Sequence, residues 1–175
     1  IATFVFLRKP VVDDHQTQIE LPQTRTVEQV ALPQIPLVDI TAESGVDWVH
    51  VNGMEGEKLL PETMGGGVAV FDYDRDGDND LLFVGGTTWP WAKKPNPNPR
   101  SLCLYQNDGS ARFRDVTEEA GLNRNIYGVG PCVGDFDNDG WQDLFVTCVG
   151  KNLLFKNNGG KFTDVSEPAH VAGDE

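Results

Sequence analysis

Apolar residues along this chain fall into short runs that Gly, Asn and Asp interrupt. Gly65–Phe71, Leu81–Val84, Leu102–Tyr105, Leu144–Val146 and Leu153–Phe155 are each followed by turn-forming or acidic residues. Runs of this length, rich in Val, Leu and Phe, predict strands rather than helices.

The pattern repeats. Val38-Asp-Ile-Thr-Ala-Glu-Ser-Gly-Val46 returns within Asp115–Leu122 as Val-Thr-Glu-Glu-Ala-Gly-Leu, and again as Asp164-Val-Ser-Glu-Pro-Ala-His-Val171. Each copy has a Thr or Ser suited to cap a short helical turn. The first two have a Gly suited to end it, where the third has His170. Between copies, Asp72–Val84 pairs with Asp135–Thr147, and Leu102–Gly109 pairs with Leu153–Gly159.

The unit therefore reads as capped turn, Gly-rich strand, acidic loop, apolar strand, spacer, strand, Asn/Gly turn and short strand. That is an antiparallel meander of about four strands, the size of one propeller blade. The expected organisation is a first unit over about 38–114, a second over about 115–163, and the start of a third over about 164–175. The predicted fold is all-β: two blades and the beginning of another, an incomplete propeller.

Upstream, Ile1–Leu7 is apolar and runs into Arg8 and Lys9. Seven residues fall short of the roughly 20 that span a bilayer. The segment reads either as the end of a signal or anchor helix or as a first strand. Residues 10–37 are rich in Pro and Gln and read as an extended linker.

Composition narrows the partners. The 175 residues carry 14 Lys+Arg against 27 Asp+Glu, a net charge of −13. Such a surface repels nucleic-acid phosphates and anionic lipid heads, so neither is an expected partner. Nine of the acids lie in two short segments, Asp72–Asp80 and Asp135–Asp143.

Those segments share one pattern, D-x-D-x-D-G-x-x-D: Asp72, Asp74, Asp76, Gly77 and Asp80, then Asp135, Asp137, Asp139, Gly140 and Asp143. Carboxylates at positions 1, 3 and 5 around a tight Gly turn converge on one point. Position 7, Asp78 or Trp141, offers its backbone carbonyl, and position 9 closes the shell. All-oxygen ligation on a flexible loop suits Ca²⁺ better than Mg²⁺. Without a cation, two carboxylates about 5 Å apart repel by roughly 3 kcal/mol at an effective dielectric near 20. An EF-hand is excluded, because position 12 is Phe83 or Val146 where that motif needs a bidentate Glu.

From Gly65 to Asp80 the sequence resembles an FG-GAP/VCBS repeat, the calcium-binding blade of integrin-α-type β-propellers. The leader Leu60–Met64 and the Asp-Val-Thr-Glu-Glu-Ala-Gly-Leu turn make it most similar to bacterial FG-GAP proteins that often carry an ASPIC/UnbV region, which is not present here. The resemblance covers about residues 38–175. It implies two Ca²⁺ sites, on Asp72, Asp74, Asp76, Asp78 and Asp80 and on Asp135, Asp137, Asp139, Trp141 and Asp143. It also implies an extracytoplasmic structural, adhesion or partner-binding role, whether secreted, periplasmic or at the cell surface, with anchoring through the N-terminus under the first reading of Ile1–Leu7.

Other chemistry is sparse. Cys103, Cys132 and Cys148 fit no zinc spacing and read as buried small residues in strands. His15, His50 and His170 stand apart, and no G-x-S-x-G or P-loop occurs. The expectation is a non-enzyme with a protein or surface-glycan partner. Two alternatives are an accessory subunit whose blades another chain completes, and the propeller scaffold of an enzyme whose catalytic part lies elsewhere. Thr87–Arg100, with Trp89 and Trp91, interrupts the first unit and reads either as a contact loop or as a Pro-stiffened cover for the blade edge.

Overall fold

A computed structural model describes residues 35–95 and 100–173. The expectations for Ile1–Leu7 and for most of the 10–37 linker fall outside the described residues.

The described residues open with two single helical turns, α1 (Thr41–Ser44) and α2 (Leu60–Thr63). The first meander follows, made of β1 (Gly67–Phe71), β2 (Asp80–Val84), β3 (Leu102–Asn107) and β4 (Phe113–Asp115). The second comprises β5 (Gly128–Gly134), β6 (Asp143–Cys148), β7 (Leu153–Asn157) and β8 (Phe162–Asp164). Each is a four-stranded antiparallel sheet in sequential order, and neither closes into a barrel. The all-β architecture of two blades is therefore the one the repeat predicts. Among the described residues no helix is long and apolar enough to cross a membrane.

Strand alternation decides which face meets which. In blade 1, Leu82 pairs with Leu104 and Val84 with Leu102, and all four are buried. They meet Leu144, Val146, Phe155 and Phe162 of blade 2 in a single core with Phe71, Tyr73, Val116 and Leu122. The blades approach closely because glycines line the seam. A Cβ on Gly67 would stand 2.3 Å from Pro131 Cδ, and one on Gly128 would stand 2.4 Å from Val84 Cγ1.

The opposite face of blade 1 carries the rows Val68–Phe83–Cys103 and Val70–Leu81–Tyr105. Trp48 covers part of it, its ring stacked on Phe83 at 4.9 Å. The opposite face of blade 2 has the row Cys132–Phe145–Leu154, flanked by an exposed Phe136. Cys103 is buried in β3 and Cys148 half-buried in β6, but Cys132 is exposed, which corrects its assignment as a buried residue. Its strand places it on the face of blade 2 away from blade 1.

The repeated turns superpose in hydrogen bonding, though not in the way their Thr and Ser residues suggest. The turn is closed by the Asp two residues earlier: Asp39, Asp115 and Asp164 accept from the backbone N–H of Thr41, Thr117 and Ser166. The hydroxyls of Thr117 and Ser166 instead accept from Leu104 N–H and Leu154 N–H, pinning each turn to the third strand of the blade before it. Gly45 and Gly121 end their turns at φ +82°, and His170 takes the corresponding left-handed position at +54°.

Candidate functional site

Each acidic loop joins the first two strands of its blade. Eight residues separate the strands, 72–79 in one blade and 135–142 in the other, and the chain reverses with two left-handed residues in each, Arg75 and Gly77 in one loop and Asn138 and Gly140 in the other. Asn tolerates this region better than most side chains, and Gly77 and Gly140 meet no steric cost there.

The two loops carry the same internal hydrogen bonds. Asp72 accepts from the N–H of Asp76 (3.1 Å) and Gly77 (3.0 Å), and Asp76 accepts from the N–H of Asp78 (2.9 Å). Asp135 accepts from Asp139 N–H (3.1 Å) and Gly140 N–H (2.9 Å), and Asp139 from Trp141 N–H (2.9 Å). The turn thus orients its own carboxylates.

In loop 1, one carboxylate oxygen from each of Asp72, Asp74 and Asp76 lies within 4.8 Å of the others. In loop 2 the same holds for Asp135, Asp137 and Asp143. The donor set is all oxygen and multiply anionic, which fits a hard divalent cation of calcium's size and flexibility. Asp78 and Trp141 sit in the turn at position 7, within the same backbone arc.

Position 9 has a further duty that its spacing does not reveal. Asp80 is wholly buried and accepts from Tyr73 N–H (3.0 Å) and Asn107 N–H (2.8 Å). Asp143 does the same with Phe136 N–H (3.0 Å) and Asn157 N–H (2.7 Å). Each carboxylate latches its loop to the third strand of the same blade. Burial pushes the Asp80 carboxyl up to about 6, against the pull of those two N–H donors, with the charges of Asp74 and Asp76 adding to the rise.

The side chain that precedes each of those Asn residues reaches the loop. Gln106 donates to Asp74 Oδ2 at 2.6 Å. Its counterpart Lys156 pairs with Asp137 and, at 2.9 Å, with Asp139. That hydrogen bond from Lys156 holds the Asp139 carboxyl below its ordinary value. Neither Gln106 nor Lys156 stands out in the sequence; aligning the Leu102 and Leu153 blocks shows that they are equivalent but not where they point.

The loops also touch each other. The Arg75 guanidinium lies over the Trp141 ring, 5.1 Å from its centroid. The buried Asn157 amide donates to Tyr73 O (2.8 Å) in loop 1 and to Gln142 O (3.1 Å) in loop 2.

The Thr87–Arg100 interruption starts as a cover. Trp89 is buried, stacks on Tyr127 at 4.5 Å and donates from Nε1 to the buried Glu62 (3.0 Å). Trp91 stacks on Trp89 at 5.2 Å and leaves its other face exposed. Glu62, from the single turn α2, has no sequence signal that separates it from its neighbours.

Residues 72–146 match the family model described as an FG-GAP-like repeat. The match begins at Asp72, the first acidic position of loop 1, and ends in β6, the strand after loop 2. The chain is also 32% identical over 110 residues to cartilage acidic protein 1 of Xenopus tropicalis, a stretch that covers 62% of this chain and 13% of that protein. Family match, paired loops and blade topology agree: residues 72–146 form an FG-GAP-like repeat segment.

Proposed function

We propose that this is an extracytoplasmic calcium-binding repeat protein whose blades serve structural, adhesion or partner-binding work rather than catalysis. One observation carries the calcium reading: two loops in separate blades repeat the same acidic spacing, the same left-handed positions and the same internal hydrogen bonds, with positions 1, 3 and 5 converging in the first loop and 1, 3 and 9 in the second. The FG-GAP-like match spans both loops and supports the same ion and an extracellular setting. The site residues are Asp72, Asp74, Asp76 and Asp80 with the Asp78 carbonyl, and Asp135, Asp137, Asp139 and Asp143 with the Trp141 carbonyl.

Calcium would neutralise carboxylates that repel one another and so couple metal binding to folding. Extracellular modules of this kind bind at about 10⁻⁴ to 10⁻³ M. The test is a thermal melt in EGTA, then in millimolar Ca²⁺, with Mg²⁺ as control. A midpoint that falls in EGTA and recovers with Ca²⁺ alone is the expected result. Indifference to both would overturn the calcium reading.

A second reading concerns assembly. The row Cys132–Phe145–Leu154 with Phe136 presents an apolar face corresponding to the one that blade 1 packs against blade 2. This favours further blades, from the same polypeptide or from another, as the covering partner. Analytical ultracentrifugation across a concentration series tests the intermolecular form of it, and a mass that stays monomeric throughout would exclude self-association. Beyond blades, a protein or surface glycan remains the proposed partner class.

A further inference from the structure

We infer that Lys156 sets the affinity of the second loop, making it the weaker of two unequal cation sites. This rests on the reading of the loops as calcium sites and adds to it a determinant that the repeat itself exposes.

The two blades offer a built-in comparison. Gln106 and Lys156 occupy the same register position, each preceding the Asn whose N–H binds the position-9 carboxylate. Each turns its terminal nitrogen onto the position-3 carboxylate, Asp74 or Asp137. The difference is charge. Gln106 brings a neutral amide, and its carbonyl is in turn held by the Arg114 guanidinium at 3.1 Å. Lys156 brings an ammonium that also reaches Asp139 at 2.9 Å.

A divalent ion at loop 2 must therefore compete with an ammonium held by two of the loop's carboxylates, Asp137 of the converging group and Asp139 beside it. At loop 1 it displaces one amide hydrogen bond. Position 7 adds to the inequality, since Asp78 contributes a carboxylate near loop 1 where loop 2 has Trp141. Around loop 1 stand five carboxylates and a neutral amide; around loop 2 stand four carboxylates and a cation. The Arg75 guanidinium, on loop 1 but lying over Trp141, stands between the two loops and so does not distinguish them. Affinity at oxygen sites rises with the charge of the ligand set, and the differences at Gln106/Lys156 and at Asp78/Trp141 both favour loop 1.

The experiment is a calorimetric Ca²⁺ titration of the full chain, of Lys156→Gln, of Lys156→Arg and of the reciprocal Gln106→Lys. Wild type is expected to show two classes of site at least about tenfold apart, the size of effect one added unit charge has on a divalent ion about 5 Å away in water. Asp135→Asn should abolish the weaker class and Asp72→Asn the tighter. Lys156→Gln should strengthen the weaker class by about tenfold while leaving the tighter one in place. Lys156→Arg should leave the weakness intact, and Gln106→Lys should weaken the tighter class.

Gln at position 106 shows that a blade accepts this side chain there, and circular dichroism confirms the fold of each variant. Two equal classes in wild type, or a weaker class that Lys156→Gln does not move, would overturn the inference while leaving the calcium sites standing. No heat of binding at millimolar Ca²⁺ in wild type and Lys156→Gln alike would overturn both.

Discussion

The side-chain amide of Asn157 donates to the backbone carbonyl of Tyr73, 2.8 Å away and 84 positions earlier in the chain. It is fully buried, and its second amide hydrogen goes to Gln142 O while its oxygen accepts from Gly160 N–H. One side chain thus satisfies the backbone of both acidic loops across the seam between blades.

Asn157→Ala should cost about 2–4 kcal/mol, because it strands buried carbonyls as well as removing hydrogen bonds. Asn157→Asp should cost more at neutral pH, since a carboxylate would face two carbonyl oxygens without a proton to share. Urea denaturation in EGTA measures both without a metal contribution.

Position 9 and position 5 of the loops should separate by experiment. Asp80→Asn and Asp143→Asn should each lower stability by about 2 kcal/mol even in EGTA, because the two backbone N–H groups bond separate carboxylate oxygens and the amide turns one of these into an NH2 donor. Asp76→Asn and Asp139→Asn should mainly reduce the stabilisation that Ca²⁺ adds. Melts of the four variants with and without Ca²⁺ give the comparison. Equal losses in EGTA across all four would contradict the latch assigned to position 9.

The open face of blade 1 carries a charged cluster with a defined pH signature. Arg100 pairs with Asp47 at 2.9 Å and Asp115 at 2.6 Å, and Tyr105 donates its hydroxyl to Asp47 at 2.6 Å. The Tyr105 hydrogen bond, then Arg100, hold Asp47 below its ordinary value. Burial opposes the same shift at Asp115, but hydrogen bonds from Thr117 and Arg100 outweigh it.

These two carboxylates stabilise the fold above about pH 4, and that stability is lost as pH falls through their lowered values. Tyr105 behaves oppositely: burial, then its bond to Asp47, push it up to about 12. Its contribution is complete below about pH 10 and lost as pH rises from there through its raised value. Arg100→Gln should shrink the acid-side loss and Tyr105→Phe should shrink the alkaline one, to which the buried Tyr73, also raised to about 12, contributes as well. Unfolding free energy against pH, in EGTA, reads both slopes.

The seam between blades should be intolerant of a single methyl group. Gly128→Ala would press a Cβ within 2.4 Å of Val84 Cγ1, which costs about 1–3 kcal/mol if the strands shift to relieve it. Val84→Ala combined with Gly128→Ala should recover part of that cost despite losing buried surface of its own. A double variant no better than the sum of the two would place the penalty in the backbone of β5 instead.

Much of this architecture was legible because a repeat compares the chain with itself. Asp72–Asp80 against Asp135–Asp143 gave the loops, and Leu102–Gly109 against Leu153–Gly159 gave the third strand and its turn. Pairings between distant residues with no periodic relation were not legible. Trp48 on Phe83, Glu62 under Trp89 and Asn157 on Tyr73 each join segments whose adjacency only the folded blades create. The turn residues misled for a related reason. Thr117 and Ser166 are good capping residues locally, but the N–H groups of Leu104 and Leu154 arrive from the preceding blade and claim their hydroxyls. Cys132 was misplaced because strand membership says nothing about which face a neighbouring sheet covers.

The backward reach of Asn157 gives the array a polarity. The third-strand Asn157 of blade 2 extends toward the loop of blade 1, so the two ends of this pair of blades are chemically distinct. At the leading end is an Asn like Asn107, which donates to Asn79 O within its own blade. At the trailing end is a residue like Phe136, the counterpart of Tyr73, which is 51% exposed where Tyr73 is 7%. Blades joined by this bond can be added in only one direction, head to tail, and a face-to-face pairing of two identical ends would leave it unmade.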